Sequence, residues 1–265
     1  MTVLDMKIIV LSDAKALHGF GSEHGLSYLI EADRKNILFD TGASDVFMKN
    51  AGILGIDLTV IDAIVLSHGH FDHGDGLQFI DGKPLICHPG SFVRRYHEQG
   101  VGYIGLALTR ADIEKKFELR TSAGPVQISE HLVFLGEIPR LNNFEARGTR
   151  YFLEGGEGDE IRDDSGLACI TKSGLVVVSG CAHAGICNMV EHARKVTGMD
   201  HVEGVIGGFH LREINPQTRK TIQYFKRIGV RRVYPSHCTA EPALSRFHDE
   251  FGLNEVYAGG TIVFN

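Results

Sequence analysis

The chain has 265 residues, 43% hydrophobic and 23% charged, the mixture of an ordinary soluble globular protein with ample core. A net charge of -6 with acids and bases interleaved leaves no basic footprint for nucleic acid, and no run of about 18 apolar residues is present to span a membrane. Five scattered cysteines, behind a start (Met1 to Lys7) without a signal-peptide pattern, set the expectation of cytoplasmic thiols rather than a disulfide framework.

In chain order, Lys7 to Ser12, Leu26 to Glu31 and Asn36 to Asp40 read as strands, with Ala32 to Lys35 as a hairpin turn. Ser44 to Leu54 reads as a short helix capped by Ser44, with Val46, Phe47, Ala51 and Leu54 on its apolar face. Asp62 to Ser67 is an apolar strand, and Pro84 to His88 another. Between about 89 and 158 the pattern weakens. Ser91 to Gln99 looks helical, Val126 to Glu137 looks like strand, and Gly155 to Gly158 marks a loop. This stretch is expected to be an insertion over the site that carries specificity.

Order returns with Leu167 to Thr171 and Leu175 to Ser179, a hairpin joined at Lys172-Ser173-Gly174. Ile186 to Val196 is helical and Val202 to Ile206 is a strand. Asn215-Pro216 opens a helix that turns Ile222, Phe225 and Ile228 inward and stops at Gly229. Val230 to Tyr234 is a strand. Pro242 opens a helix with Leu244, Phe247 and Phe251 as its stripe, and Thr261 to Phe264 is the last strand. Both halves run from hairpins into strand–helix units. Two mixed sheets packed face to face with helices outside, an α/β fold of αββα type, would bury all these faces.

The chemistry is concentrated after the Asp62 to Ser67 strand, where His68, His70, Asp72 and His73 fall within six residues. Neutral imidazole and carboxylate suit zinc, iron or manganese. In extended backbone His68 and His70 point to one side, while Asp72 and His73 come after the strand and turn toward a second position. That spacing predicts two neighbouring metal ions. Three later strand exits offer to complete the array: Cys181 and His183, His210, and His237 with Cys238. Cys181 reads either as a small wall residue or as a thiolate ligand that favours a softer metal. Cys238 reads as a wall residue, and Cys87 and Cys169 as core. Asp40, at another strand end, is expected to fix a histidine tautomer. Arg94, Arg95 and Arg140 are candidates for an anionic substrate group.

Leu38-Phe39-Asp40-Thr41-Gly42 followed by His68-x-His70-x-Asp72-His73 resembles the metallo-β-lactamase superfamily. The resemblance implies an αββα sandwich, one domain over residues 1–265, with a two-metal site at its edge. Glu23 to Ser27, Ser179 to Ile186, Ile206 to Leu211 and Ser236 to Thr239 resemble its dihydropterin-ribofuranosylaminobenzene phosphate synthase branch. That branch implies a condensation of a dihydropterin pyrophosphate with a ribosyl-aminobenzene phosphate. By resemblance, His68 and His70 belong to one metal position, Asp72 and His73 to the other, and His237 is the late histidine. Where many relatives carry a bridging aspartate, Cys181 stands here. A further histidine common in the superfamily has no clear equivalent, Glu137 and His131 being only nearby, and His183 is taken to replace it.

The expectation is therefore a metal-dependent enzyme with two divalent ions, zinc first and iron or manganese as alternatives. His68, His70 and His183 would hold one ion, and Asp72, His73 and His237 the other. Asp72 and His210 would serve catalysis, with His210 protonating the leaving group. The substrate would be an anionic small molecule, phosphorylated or pyrophosphorylated. Hydrolysis of an unrelated ester, lactone or phosphodiester, an iron redox centre, and a non-catalytic metal sensor stay open beside it. A homodimer is the base-rate expectation.

Overall fold

The computed structural model describes residues 5–98, 101–146 and 148–265. Strands β1 (Met6–Ser12), β2 (Ser27–Ala32) and β3 (Lys35–Phe39) come first. The β2–β3 turn holds Asp33 and Arg34 at φ 47° and 60°, the left-handed pair that a two-residue hairpin requires. Helix α1 (Val46–Ile53) begins later than expected. Asp45 occupies its cap position, and Ser44 Oγ accepts from the Val46 amide at 3.3 Å. Strand β4 (Ala63–Val65), the short helix α2 (Phe71–Gly74) and strand β5 (Pro84–Cys87) follow.

The middle contains β6 (Arg95–Glu98), β7 (Val101–Tyr103), α3 (Arg110–Lys116), β8 (Glu118–Thr121), β9 (Val126–Ser129), β10 (Leu132–Phe134) and β11 (Phe152–Leu153). The last third holds β12 (Gly166–Thr171), β13 (Gly174–Ser179), α4 (Ile186–Thr197), β14 (Val202–Gly208), α5 (Pro216–Ile228), β15 (Arg232–Ser236), α6 (Glu241–Phe251) and β16 (Thr261–Phe264). Helix α5 has the start its sequence announces: Asn215 Oδ1 accepts from the Thr218 amide at 3.0 Å, Pro216 is the first helical residue, and Gly229 leaves at φ 73°.

Two mixed sheets stack face to face. One has the order β16-β1-β2-β3-β4-β5-β8 and the other β15-β14-β13-β12-β10-β9. Between them lie Tyr28, Phe39, Phe134, Val178, Ile206 and Phe264. Alternation is strict at the edge strand β16, where Ile262 and Phe264 are buried and Thr261 and Val263 are exposed. The central strand β13 is buried along its whole length, as a strand covered on both faces must be. Phe47 of α1 packs on the outer face of the first sheet against Leu11 and Leu38. Met189 of α4, Phe225 of α5 and Phe247 of α6 cover the outer face of the second. This is the αββα sandwich.

The middle departs from expectation. Over Ser91 to Gln99 there is no helix among the described residues; Pro89–Phe92 is a single 3-10 turn and Arg95–Glu98 is strand. Buried acids at 159 and 163 draw Arg95 inward, a pull that side-chain periodicity does not record. Gln99, and Met1 to Leu4, lie outside the described residues. Val126 to Glu137 is a hairpin rather than one strand, folded at Glu130-His131, where Asp33 Oδ2 accepts from the His131 amide at 2.9 Å. Helix α3 was not legible as a helix, although a Thr109–Asp112 capping box opens it. Within 89–158, strand β8 extends the first sheet, β9 and β10 extend the second, and β11-β6-β7 form a separate small sheet.

Candidate metal centre

Four strands, β3, β13, β14 and β15, deliver residues to one edge of the sandwich. Just past each, a non-glycine residue takes left-handed backbone: Asp40 (φ 55°), Ala182 (53°), His210 (51°) and His237 (52°). Each such residue turns the chain sharply and costs about 1–3 kcal/mol of backbone strain. Strand β4 ends at Val65, so His68 and His70 sit on a loop and not, as expected, on extended strand. The loop is tightly seated: a Cβ on Gly69 would lie 1.8 Å from the Ser91 carbonyl oxygen. Helix α2 then carries Asp72 and His73 away in its first turn, with its carbonyls tied to neighbouring loops by Leu26 N→Asp72 O (3.1 Å) and Thr41 N→His73 O (2.7 Å).

Asp40 organises this edge from below. Its Oδ1 accepts from the Ser67 amide, and its Oδ2 meets both Ser67 Oγ and His73 Nδ1, each at 2.7 Å. With Nδ1 committed to the carboxylate, His73 Nε2 faces the site, 3.2 Å from Cys181 Sγ and 3.7 Å from Asp72 Oδ2.

Two donor groups result. In the first, His68, His70 and His183 bring ring nitrogens within 4.8 Å of one another. His68 Nε2 and His70 Nδ1 are 3.0 Å apart, and the His183 ring lies 4.9 Å from each of the other two. In the second, Asp72 Oδ2 lies 3.2 Å from His237 Nε2 and 3.4 Å from His24 Nε2. His24 and His237 stack with ring centroids 5.1 Å apart. Between the groups His73 meets His68 and Cys181, and on the far side Cys181, His237 and Cys238 form another close set.

Burial sets the protonation states. It pushes the His68 and His183 imidazoles well below their ordinary value, with neighbouring histidines adding to the effect, and it takes His70 to about 3. All three rings are therefore neutral near pH 7, the state that binds metal. In the second group burial alone would raise Asp72, but His73 and His237 outweigh it and hold the carboxyl low. Burial likewise would lower His237, but the bond to Asp72 and the nearby Cys238 and Asp13 raise it to about 9. Burial raises the Cys181 thiol, with Cys238 adding to the shift.

The residues fit metal ions. The donors are nitrogen, carboxylate oxygen and sulfur, clustered and mostly buried, and the Nε2 atoms of His70 and His183 have no hydrogen-bond partner among the described residues. Glu137 and His131, weighed as replacements for the missing histidine, face other partners: His88 at 3.9 Å and Asp33 at 3.4 Å.

Beside the first group opens a cavity of about 550 Å³. His183, His210 and Tyr151 line it, and Arg140, Arg150 and Arg212 surround it. Tyr151 Oη and His210 Nε2 are 3.2 Å apart. Burial, then Arg212 and Arg150, lower His210 to about 4, so it is a neutral partner here and not a ready acid. Burial raises the Tyr151 hydroxyl to about 12, which keeps its proton on near pH 7. Of the three arginines singled out in the sequence, Arg140 reaches this cavity. Arg94 is exposed and paired with Glu154 at 2.8 Å, while Arg95 is buried between Asp159 and Asp163 and has nothing to offer a substrate.

Sequence reasoning missed His24, Tyr151, Arg150 and Arg212 in these surroundings. His24 had a signal, because it stands in the Glu23 to Ser27 segment that resembles the synthase branch. Tyr151, Arg150 and Arg212 lie outside helices and strands and had none.

A two-sheet sandwich with this histidine- and aspartate-bearing loop at its edge defines a metallo-β-lactamase fold, and the family profile described as Metallo-beta-lactamase superfamily matches residues 21–84. The chain is 36% identical, over 98% of its length and 97% of the relative's, to the 7,8-dihydropterin-6-methyl-4-(beta-D-ribofuranosyl)-aminobenzene-5'-phosphate synthase of Methanocaldococcus jannaschii. It is 34% identical, over 90% of its length and 93% of the relative's, to an uncharacterized protein of the same organism. The chain belongs to the metallo-β-lactamase superfamily, in the branch of that dihydropterin synthase. Among solved structures it superposes on Tm1679, a metal-dependent hydrolase of the beta-lactamase superfamily, with TM-score 0.86 and 34% identity over 97% of this chain and 98% of the other. A diphosphatase of the PhnP family, 14% identical with TM-score 0.55 over 99% and 98% of the two chains, shares the fold. Among the described residues no helix is long and apolar enough to cross a membrane.

Proposed function

We propose that the protein is a metal-dependent transferase of dihydropterin synthase type, acting on a phosphorylated or pyrophosphorylated small molecule. The observation that carries this reading is the cavity in which Arg140, Arg150 and Arg212 stand beside the three-histidine group. Arg140 donates to the Glu160 carbonyl, whereas Arg150 and Arg212 have no ion pair with a carboxylate among the described residues, so their guanidinium groups are available to phosphate oxygens. The relationship to the dihydropterin synthase supports the same substrate class.

In this reading His68, His70 and His183 hold one divalent ion, and Asp72 and His237, with His24 and His73 in reach, hold a second; zinc is the first choice for both. When bound, such ions supply Lewis acidity toward phosphoryl oxygens and charge against a departing pyrophosphate. The chain's own residues do the rest. Asp40 holds His73 in the tautomer that turns Nε2 to the site. Arg150 and Arg212 bind and orient the anionic end of the substrate. Tyr151 keeps its proton at Oη and, with neutral His210, places a hydrogen-bond donor on the cavity wall.

A second reading, hydrolysis of a phosphorylated substrate, is favoured by the likeness to Tm1679, the metal-dependent hydrolase. One experiment separates them. Protein of known metal content is incubated with a dihydropterin pyrophosphate, with and without an aminobenzene ribosyl phosphate acceptor. Transfer predicts pyrophosphate release that depends on the acceptor, whereas hydrolysis predicts release without it. Arg150→Ala with Arg212→Ala should raise KM for the pyrophosphorylated partner by about 100-fold or more, a loss of charged hydrogen bonds worth about 1.5–3 kcal/mol each. Equal turnover by metal-free protein rules out both readings.

A further inference from the structure

Two adjacent carboxylates, Asp163 and Asp164, lie 1% and 0% exposed on the loop that enters β12. Burying two neighbouring acids is costly unless specific donors meet them. Arg95, the bulkiest of the fully buried side chains, meets the first with both prongs, Nη2 2.9 Å from Asp163 Oδ1 and Nη1 3.2 Å from Oδ2, and it also reaches Asp159 at 3.2 Å and the Gly90 carbonyl at 3.1 Å. The remaining donors come from elsewhere in the fold. Asp163 Oδ2 accepts from the Gly69 amide at 2.7 Å, between His68 and His70. Asp164 Oδ2 accepts from the Ala184 amide at 2.9 Å, next to His183.

Gly69 and Ala184 belong to opposite sheets' loops, the one after β4 and the other after β13. No strand pairing joins β4 to β13, so sheet register does not fix the spacing of these loops. We propose that Asp163 and Asp164 form a positioning clamp that sets the separation of the His68–His70 loop from the His183 loop, and so builds the three-histidine metal position. The clamp rests on the reading that those histidines hold a metal. It assigns a role to the loop entering β12 and to buried Arg95, whose two-pronged pairing neutralises Asp163 while Oδ2 also accepts from the Gly69 amide. The packing of Gly69 against Ser91 closes the same loop from its other side, so the loop is held between a wall and an acceptor.

The test reads metal binding directly. Zinc affinity is measured on folded protein by competition with a chromophoric chelator, and ligand geometry by the visible bands of cobalt-substituted protein. Asp164→Ala should weaken the ion of the three-histidine group by about 10- to 100-fold, the usual effect of losing a partner that orients a ligand, and shift its cobalt bands. Asp164→Asn, which keeps an acceptor oxygen for Ala184, should restore both. Where Asp164→Ala does not fold, Asp164→Ser, polar but too short to reach that amide, carries the same expectation. Wild-type zinc affinity and cobalt bands in the folded variant overturn the clamp, even when its melting temperature has dropped. His183→Ala separates the two levels: zinc stoichiometry unchanged in that variant overturns the three-histidine position itself, and the clamp with it.

Discussion

The two donor groups lie side by side and are chemically unlike. The His68, His70 and His183 group is all imidazole, with His68 and His70 buried and His183 partly so, and it is neutral before any ion arrives. The other mixes carboxylate, imidazole and nearby thiol, includes an exposed His24, and has His237 carrying a proton against Asp72. One group is ready for a metal, whereas the other must exchange a proton for it. Burial opposes charge in both groups: with no carboxylate among them it discharges the histidines, and in the second group the Asp72–His237 pairing outweighs it and keeps the charged pair.

The comparison can be broken most decisively at His183. His183→Ala should abolish one metal equivalent and lower turnover by more than about 100-fold, since partners one step further out already cost 10- to 100-fold. Elemental analysis that still finds the wild-type metal content would place the first ion elsewhere. Asp40→Asn should act on the boundary between the groups by loosening the His73 tautomer, with metal affinity falling by about 10- to 100-fold in chelator competition while the fold persists. The smallest and sharpest effect is on protons. His237 is protonated below about 9, so binding at the second group must release that proton. Affinity there should climb by about tenfold per pH unit between pH 7 and 9 and then level off. The first group should stay flat over that window, because His70 is neutral down to about 3. Calorimetry in buffers of different ionisation heat reads the released proton, and equal proton release at both ions would erase the distinction.

The regular parts of the fold were legible in local pattern. Strands such as β13 and β16 and helices such as α5 carry periodic burial and punctuating Asn, Pro and Gly residues, because each buries one face against a layer. The His68 to His73 string could be read because its residues are adjacent in the chain and lie just past a strand. The residues that went unread have a different physical origin. Arg95 is a buried charge whose partners lie more than sixty residues away, so its strand looked like a polar helix face. Tyr151, Arg150 and Arg212 reach the cavity from irregular segments, where neither a period of 2 nor one of 3.6 marks a side chain's direction. The histidine pair His68 and His70 was placed on a strand that in fact stops at Val65, so their convergence comes from a pinned loop rather than from strand alternation.

The four left-handed turns at Asp40, Ala182, His210 and His237 have a consequence for how the molecule breathes. They gather at one rim half of the left-handed non-glycine residues described, and segments under strain are drawn from the easily opened end of the stability range. In the metal-free protein this rim should be where amide hydrogens exchange earliest, ahead of the strands beneath it. Ions seated between the loops would act as a clasp, raising the protection of all four turns together.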